Sequence, residues 1–322
     1  MSYPKLSTIR EAQSLIASFL PVTSLVPVTG LGPSVVHLKL EIELPTGSFK
    51  PRGALYALAT KLRQETIAEV TASSTGNHGA AVAWAAKMLG IPATIFLPKD
   101  PNPVKRKRIA EAGARIVETG APDLAQAAVE AAAYSKREGV YFLNDATDAR
   151  IPAGTGTIGL EILSQLPSVA SIFVPMGDTA LIRGVAAAVK QSNARVSIVG
   201  VQAERAPSYY LSWKAGRSIS TETCDTCADG LATRVPQPEN VDAIRELVDD
   251  VMLVSEDEML RAIRLLYEHA HVIAEPSGAA ATAAFVKRSS SSQDLDPAVV
   301  LVTGCNITGA VRLQAGVPGT TD

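Results

Sequence analysis

The chain has 322 residues, of which 47% are hydrophobic and 19% are charged, and its formal net charge is −2. A chain of this length buries a substantial core and suits one large domain or two closely packed ones. The small net charge gives no basis for binding to nucleic acid or to a membrane surface. No apolar run approaches the roughly 18 residues that cross a bilayer, and the first residues lack a signal-peptide core, so a cytoplasmic location is expected.

Three cysteines, an odd number, argue against a disulfide framework. Cys224 and Cys227 form a Cys-x-x-Cys pair, a spacing that zinc sites and redox sites both use. A tetrahedral zinc site needs further ligands, and the sequence has no second pair or nearby histidine to supply them. Zinc binding at this pair is therefore disfavoured.

The first predicted elements lead to a strand. Residues 10–19 have the spacing of an amphipathic helix, and the Pro/Gly-rich residues 21–33 follow as a connection. Residues 35–42 alternate between apolar and polar side chains, which predicts a half-buried strand. Its apolar face is expected to hold Val36, Leu38, Leu40 and Ile42, and its polar face His37, Lys39 and Glu41.

The next stretch, TGSFKPRGA at residues 46–54, sets Lys50 between turn-forming residues and the start of an Ala/Leu-rich helix. At the helix N-terminus, the positive end of the dipole and partial burial are both expected to lower the pKa of the Lys50 ammonium. A neutral lysine amine is what Schiff-base chemistry needs. The alternative for this residue is an exposed loop lysine.

Short strands then alternate with helices in two successive series, which predicts parallel strands with right-handed crossovers. In the first series the predicted strands are 69–72, 93–97, 115–117 and 140–143, and the predicted helices are 78–89, 103–112 and 122–137. In the second the predicted strands are 171–174, 196–201, 251–254 and 298–302, and the predicted helices are 181–190, 257–269 and 278–287. Two α/β units are therefore expected.

Three polar stretches lie outside this alternation. Residues 235–239 and 289–292 are predicted to be solvated loops. The basic run at residues 105–108 could bind phosphate, but a solvated helix face balanced by Glu111 is favoured.

The lysine stretch closely resembles the lysine motif of the serine/threonine dehydratase family, the fold-type II pyridoxal phosphate (PLP) enzymes that include serine racemase. Further segments resemble the family in the family's order and extend over nearly the whole chain. They are SSTGNHG at 73–79, GTGT at 154–157, ADG at 228–230, EPSGA at 275–279 and TGCN at 303–306.

The resemblance implies an α/β fold of two open twisted domains in the tryptophan-synthase-β-like architecture, with PLP in the cleft between them. Residues 1–66 and 150–322 would form the large domain and residues 67–149 the small one. A homodimer is expected by analogy. Because the chain ends soon after Thr303, no regulatory domain is expected, and the kinetics should be simple, without an amino-acid effector.

For the cofactor, the resemblance implies that Lys50 forms the Schiff base and Phe49 packs on the pyridine ring. Asn77 would bond the phenolic oxygen, Thr303 would face the pyridine nitrogen, and Glu275 would line the cleft. A hydroxyl at the nitrogen leaves it unprotonated and favours loss of a β-leaving group. Without the resemblance, Asn77 would be a helix cap, Thr303 a strand-end cap and Phe49 an ordinary buried residue.

The phosphate is expected at Gly177, Asp178, Thr179, Ala180 and Leu181, between a strand and a helix N-terminus, where backbone N–H groups bind anions. The family typically has four glycines here. Asp178 would repel a phosphate unless its side chain turns away, and the missing glycines restrict the backbone. A shifted or weaker hold on PLP is the expected consequence.

The substrate carboxylate is expected at the loop that contains Ser73, Ser74, Thr75, Gly76 and His78. Asp229 and Gly230 would border the substrate pocket, although a plain turn would also explain them. Serine racemase and its nearest relatives have a serine at position 75, where the hydroxyl serves as an acid/base opposite the lysine. Thr75 keeps the hydroxyl but adds a methyl group. The substitution therefore favours elimination over racemisation.

No metal site is expected, because Gln202 and Ser208 stand where serine racemase-like members have carboxylates. The predicted reaction is β-elimination from a β-hydroxy amino acid, such as serine, threonine, phenylserine or 3-hydroxyaspartate, to a 2-oxo acid and ammonia. A racemase or β-replacement synthase is the alternative within the class. The Gly-x-Gly-x-x-Gly pattern at 154–159 suggests a nicotinamide oxidoreductase, but this alternative is remote because the pattern does not directly follow a strand. A further alternative is a non-catalytic binding protein on the same fold.

Overall fold

A computed structural model describes residues 3–74, 76–99, 101, 103–120, 124–289 and 296–318. These residues form two β-sheets surrounded by helices, which confirms the predicted α/β class. Residues 290–292 of the predicted loop at 289–292 lie outside the described residues, and Ser289 is the last residue of a helix.

The larger sheet has six strands in the described chain. In spatial order they are β1 (Leu25–Val28), β2 (Val36–Leu40), β10 (Ala298–Val302), β7 (Ser171–Pro175), β8 (Ser197–Ala203) and β9 (Asp250–Val254). Strand β1 pairs antiparallel with β2, and the other pairs are parallel. In the register of the central strand, Ala298 lies opposite Val36 on one side and Ser171 on the other.

The smaller sheet has four strands among the described residues, and all its pairs are parallel. Its spatial order is β5 (Arg115–Glu118), β4 (Ala93–Leu97), β3 (Glu69–Ser73) and β6 (Val140–Phe142). Val70 of β3 lies opposite Ala93 of β4. The strands follow one another in the chain with a helix between each pair, as the alternation predicts.

The helices cover both faces of the sheets. In chain order those described are α1 (Leu6–Ile16), α2 (Lys50–Gln64), α3 (Asn77–Leu89), α4 (Pro103–Glu111), α5 (Leu124–Tyr134), α6 (Ile151–Gln165), α7 (Ala180–Ser192), α8 (Ser208–Ala215), α9 (Pro238–Leu247), α10 (Glu256–Ala270), α11 (Pro276–Ser289) and α12 (Gly309–Gln314). Helix coverage buries the central strands on both faces, so β10 reads as a continuous apolar run and each of its residues is buried.

The strand predicted at residues 35–42 is present as β2 (Val36–Leu40), but the expectation that its polar face is solvated is wrong. Lys39 and Glu41, expected on a polar face, are both 0% exposed. The Lys39 Nζ donates to Glu161 at 2.6 Å, and the Arg52 Nε donates to Glu41 at 2.7 Å. The charges are therefore buried because each has an oppositely charged partner on a neighbouring helix, Glu161 on α6 and Arg52 on α2.

Several predicted connections contain regular structure. The connection at 21–33 includes the edge strand β1, and the loop at 235–239 leads into α9, which begins at Pro238. Helix α1 begins at Leu6, earlier than the predicted residue 10, and α6 and α8 were not predicted. A proline at the first position of a helix is compatible with the helix, because the missing N–H has no intrahelical partner there.

The dinucleotide-like pattern at 154–159 lies inside α6 rather than in a loop. A Cβ on Gly154 would lie 2.3 Å from the carbonyl oxygen of Arg52, and one on Gly156 would lie 3.0 Å from that of Gly184. These glycines allow α6 to pack closely against α2 and α7. Close helix packing, rather than phosphate binding, explains the pattern, and the structural basis for an oxidoreductase is removed.

Candidate active site

A cavity of about 210 Å³ opens where strands of both sheets end. The carboxyl ends of parallel strands are the usual ligand sites in α/β proteins. Strand β3 leads into the cavity at Ser73, β7 at Pro175, and β10 at Thr303, the residue that follows it. The topology therefore brings three sequence-distant motifs together.

The cavity collects the predicted site residues. Those that line it are Phe49, Lys50, Ser73, Ser74, Gly76, Asn77, His78, Gly177, Asp178, Thr179, Ala180, Leu181, Asp229, Gly230, Glu275 and Thr303. Thr75, the predicted acid/base, lies outside the described residues. The individual roles given above stay predictions.

Sequence reasoning did not assign six of the lining residues to the site. They are Asp145, Pro175, Leu231, Ala232, Thr233 and Ser277. Ser277 lies inside the EPSGA segment already matched to the family, so the motif indicated its position. Asp145, on the loop after β6, carried no such signal.

Lys50 is the first residue of α2, and its Nζ donates to the Asp145 Oδ2 at 2.5 Å. The expected lowering of the Lys50 pKa is wrong. Burial does lower it, but Asp145, Asp178 and Glu275 outweigh burial and raise the pKa of the Lys50 ammonium above its ordinary value. With these carboxylates as its neighbours, the amine is held protonated.

Asp145 is ionised in this arrangement. Burial opposes its charge, but His78 and Lys50 bring the pKa of the carboxyl well below its usual range. The His78 Nε2 lies 2.9 Å from the carbonyl oxygen of Leu143, and its Nδ1 lies 3.8 Å from the Asp145 Oδ2. Burial lowers the pKa of His78, so at pH 7 the imidazole is neutral and Lys50 is the cation that faces Asp145.

A hydrogen-bonded chain fixes Asn77 at the N-terminus of α3. Its Nδ2 donates to the Glu275 Oε1 at 2.6 Å, and its Oδ1 accepts from the Asn306 Nδ2 at 2.5 Å. A Cβ on Gly304 would lie 2.2 Å from the same Glu275 oxygen. The glycine of the TGCN segment is therefore what allows Glu275 to reach Asn77.

The loop between β7 and α7 presents a helix N-terminus to the cavity. Thr179, the N-cap residue of α7, has a φ of 71°, in the left-handed region, and within the described chain its side chain makes no capping hydrogen bond to the helix. The first N–H groups of an α-helix have no intrahelical partners. Uncapped, they are free to bind an anion, as the sequence predicted for this loop.

Asp178 turns its carboxylate to the side of this loop, where the Oδ1 accepts from the Thr233 hydroxyl at 3.1 Å. Asn240 donates to the Asp178 carbonyl oxygen at 3.3 Å and to that of Ala146 at 3.1 Å, which ties the two loops together. Burial, and then Asp145, raise the pKa of Asp178 to about 6. Asp178 is therefore protonated only below about pH 6, and the repulsion expected beside a phosphate is relieved only in acidic solution.

The raised pKa predicts how Asp178→Asn changes stability. Because the folded state holds the Asp178 proton up to about pH 6 and the unfolded state loses it near pH 4, wild-type stability falls as the pH rises between them. Asparagine does not titrate. In cofactor-free protein, urea unfolding should show Asp178→Asn gaining up to about 3 kcal/mol over wild type above pH 6 and nothing below pH 4.

Asp225→Asn is the matched control for this experiment, because its side chain is 81% exposed and pairs with Arg205 on the surface. Its stability difference from wild type should be no more than about 1 kcal/mol, as for other exposed ion pairs. A difference for Asp178→Asn that stays the same between pH 4 and pH 7 would contradict a raised pKa at this residue.

The cavity, its lysine and the uncapped helix N-terminus are the features of an enzyme that binds a phosphorylated aldehyde cofactor. The family model for pyridoxal-phosphate dependent enzymes matches residues 16–304, and the chain belongs to this family. The resemblance to its serine/threonine dehydratase members is confirmed by the relatives that follow.

An L-threonine ammonia-lyase of Geobacter sulfurreducens is 37% identical over 253 residues, which are 79% of this chain and 63% of that protein. A catabolic L-threonine dehydratase of Staphylococcus aureus is 34% identical over 313 residues, 94% of this chain and 89% of that one. Among solved structures, maize serine racemase has a TM-score of 0.90 and 29% identity, with 98% of this chain and 97% of that chain covered. The chain thus spans less than two thirds of the Geobacter relative.

The residues present fit PLP, the cofactor of this family. The cavity holds one lysine among its described lining residues, an uncapped helix start for the phosphate, and the Thr303 hydroxyl at 3% exposure. Phe49 places its ring centroid 5.3 Å from the Lys50 Nζ. The cavity therefore offers an amine for the aldehyde of PLP, helix N–H groups for its phosphate and an aromatic side chain for its ring.

Two residues, Gln202 and Ser208, stand where serine racemase-like members have metal-binding carboxylates, and both make other contacts. Gln202 accepts from the Tyr210 N–H at 2.9 Å, and the Ser208 hydroxyl donates to the Thr233 carbonyl oxygen at 2.6 Å. Among the described residues, no three His, Cys, Asp or Glu side chains cluster as metal ligands would. In the same part of the chain, no helix is long and apolar enough to cross a membrane.

Proposed function

We propose that this protein is a PLP-dependent ammonia-lyase of the dehydratase type, which converts a β-hydroxy amino acid into a 2-oxo acid and ammonia. The observation that carries the proposal is the position of Lys50, at the start of α2 and inside the cavity with Asn77, Glu275 and Thr303. The threonine ammonia-lyase and dehydratase names of the relatives support it.

When bound, PLP supplies the aldehyde that joins to an amine and a conjugated ring that accepts electrons from the substrate Cα. Under the proposal, the phosphate binds to the backbone N–H groups at residues 177–181, Asn77 and Thr303 contact the ring's polar atoms, and Phe49 packs against its face. Glu275 acts on the cofactor through Asn77, to which it is hydrogen-bonded at 2.6 Å.

The substrate carboxylate binds at the start of α3, where Ser73, Ser74 and Asn77 line the cavity and the first N–H groups of the helix can bind an anion. Lys50 takes the Cα proton as the general base in its neutral form, which the amine has when the cofactor rather than Asp145 is its partner. The β-hydroxyl group takes up the proton that Lys50 has removed from Cα and leaves as water. The enamine product then reacts with one water molecule to give the 2-oxo acid and ammonia. Binding the carboxylate and the base in fixed positions is what makes the transfer of the Cα proton fast.

A racemase is the second candidate, because maize serine racemase has the same fold at 29% identity. The experiment incubates the PLP-loaded protein with L-serine and with L-threonine and measures ammonia, 2-oxo acid and D-enantiomer in the same samples. We expect ammonia and oxo acid in equal amounts and in excess over the D-enantiomer. A D-enantiomer that forms faster than ammonia would assign the protein to the racemases.

We further propose the organisation that the resemblance implies. Residues 1–66 and 150–322 form a large domain that includes the six described strands of the larger sheet, and residues 67–149 form a small domain with the other four. A homodimer, a cytoplasmic location and metal-independent activity in amino-acid catabolism complete the proposal. Sedimentation of the loaded protein tests the dimer, and assay after chelation tests the metal independence.

A further inference from the structure

Most of the ionisable side chains that line the cavity are acidic. Lys50 is the one lysine or arginine among the described lining residues, whereas four carboxyl groups line the same space. They belong to Asp145, Asp178, Asp229 and Glu275. A substrate that enters this cavity therefore meets an excess of negative charge.

Asp145 differs from its neighbours in the partner it uses. Glu275 accepts from Asn77, and Asp178 accepts from the Thr233 hydroxyl. Both carboxyl groups therefore have a hydrogen-bond partner other than the Lys50 amine. The partner that the structure places at hydrogen-bond distance from the Asp145 side chain is the Nζ of Lys50. The carboxylate thus depends on the one amine that the reaction uses.

Under the proposed function, Lys50 cannot stay a dedicated counter-ion, because its amine bonds the cofactor and then exchanges a proton with the substrate. The other group near the carboxylate is His78, which is neutral at pH 7. A carboxylate whose side chain is 19% exposed would then lack a cation. Leaving a largely buried charge unpaired is unfavourable, and a new cation at the same place relieves it.

We infer that Asp145 is a specificity-determining residue that selects amino acids with a protonated amine on the side chain and rejects those with a side-chain carboxylate. The inference rests on the proposed function, in which Lys50 is committed to the cofactor. Lys50 itself shows that the position accepts an ammonium, since its Nζ lies 2.5 Å from the Asp145 oxygen. The side-chain carboxylate of a substrate would meet the carboxylates of Asp145 and Asp178 at this position. Among the described lining residues it would find no lysine or arginine other than Lys50.

The loop holds Asp145 in place without help from a ligand. The next residue, Ala146, accepts from the Asn240 Nδ2 through its carbonyl oxygen at 3.1 Å, and its N–H donates to the Asn144 side chain at 2.9 Å. Asn240 is 4% exposed and its Nδ2 also lies 3.3 Å from the Tyr209 hydroxyl. A side chain fixed in this way discriminates between charges better than one on a mobile loop.

The test measures binding of three non-reactive L-amino acids of similar length to the PLP-loaded protein. They are 2,4-diaminobutyrate with a cationic side chain, homoserine with a neutral one and aspartate with an anionic one. Dissociation constants come from the change in the absorption spectrum of the bound cofactor. We expect wild type to bind diaminobutyrate at least tenfold more tightly than aspartate, with homoserine between them.

Asp145→Asn should reduce this ratio to less than threefold, because asparagine keeps the size and loses the charge. Asp145→Glu should keep the order diaminobutyrate, homoserine, aspartate, and Asp225→Asn should leave the wild-type ratio unchanged because this surface carboxylate is far more exposed. Equal affinities in wild type, or a ratio that survives in Asp145→Asn, would overturn the inference. If Asp145→Asn does not take up PLP, the wild-type ratio and Asp145→Glu decide the question.

A parallel assay of ammonia release from L-serine separates this inference from the proposed function. If the protein releases ammonia but binds the three ligands without a charge preference, the role of Asp145 is rejected and the ammonia-lyase activity is supported. A charge preference that disappears in Asp145→Asn, without ammonia from any β-hydroxy amino acid, supports Asp145 and rejects the ammonia-lyase.

Discussion

Lys50→Ala is expected to lower the rate of ammonia release by at least about 10³-fold, because one side chain supplies both the covalent link to PLP and the base for the Cα proton. The measurement is single-turnover ammonia release from L-serine with excess protein. A readout independent of activity is borohydride reduction followed by peptide mass analysis. Wild type should carry the reduced cofactor on the peptide that contains Lys50, and the variant should carry none.

Lys107→Ala is the matched control, because this lysine is 77% exposed on α4 and pairs with Glu111 at 3.7 Å. It removes the same charge and the same side chain outside the cavity, and should keep wild-type rates and labelling. If Lys50→Ala retained more than a tenth of wild-type activity, or if borohydride labelled a different lysine, the assignment of the cavity would be wrong.

The environment of Lys50 shows where sequence reasoning stops. The motif at 46–54 correctly placed this residue at a helix N-terminus, because turn residues and helix periodicity are local signals. Its pKa depends on Asp145, 95 positions later, which only the fold brings to 2.5 Å. Burial lowers the pKa, and the carboxylates of Asp145, Asp178 and Glu275, which the fold gathers around the amine, reverse the result.

The same distinction explains the errors in the fold. The apolar run of β10 was predicted at its observed bounds, since a strand buried on both faces has a continuous apolar pattern. The alternation at 35–42 suggested a solvated face, but Glu161, 122 positions after Lys39, buries that face with an ion pair. Strand β1 is short, lies at the sheet edge and contains Pro27, so it has little pattern of its own.

Arg52→Met is expected to lower the free energy of unfolding by about 3–5 kcal/mol, the range for removing one partner of a buried ion pair. The Arg52 side chain is 1% exposed, and it binds Glu41 and Glu161, each through two nitrogen–oxygen contacts of 2.6–3.0 Å. Methionine fills much of the volume but leaves two buried carboxylates with Lys39 as the cation. Urea unfolding of wild type and variant, both without cofactor, measures the difference.

Arg264→Met provides the comparison, because Arg264 is largely exposed and its pair with Glu268 is an (i, i+4) contact on the surface of α10. Its removal should cost far less than Arg52→Met does, because water screens an exposed pair. Adding Glu41→Gln to Arg52→Met should recover part of the loss, since Glu161 then remains as the one carboxylate of the pair and Lys39 is its cation. If Arg52→Met cost no more than Arg264→Met, the buried network would not be holding α2, and with it Lys50, against the large sheet.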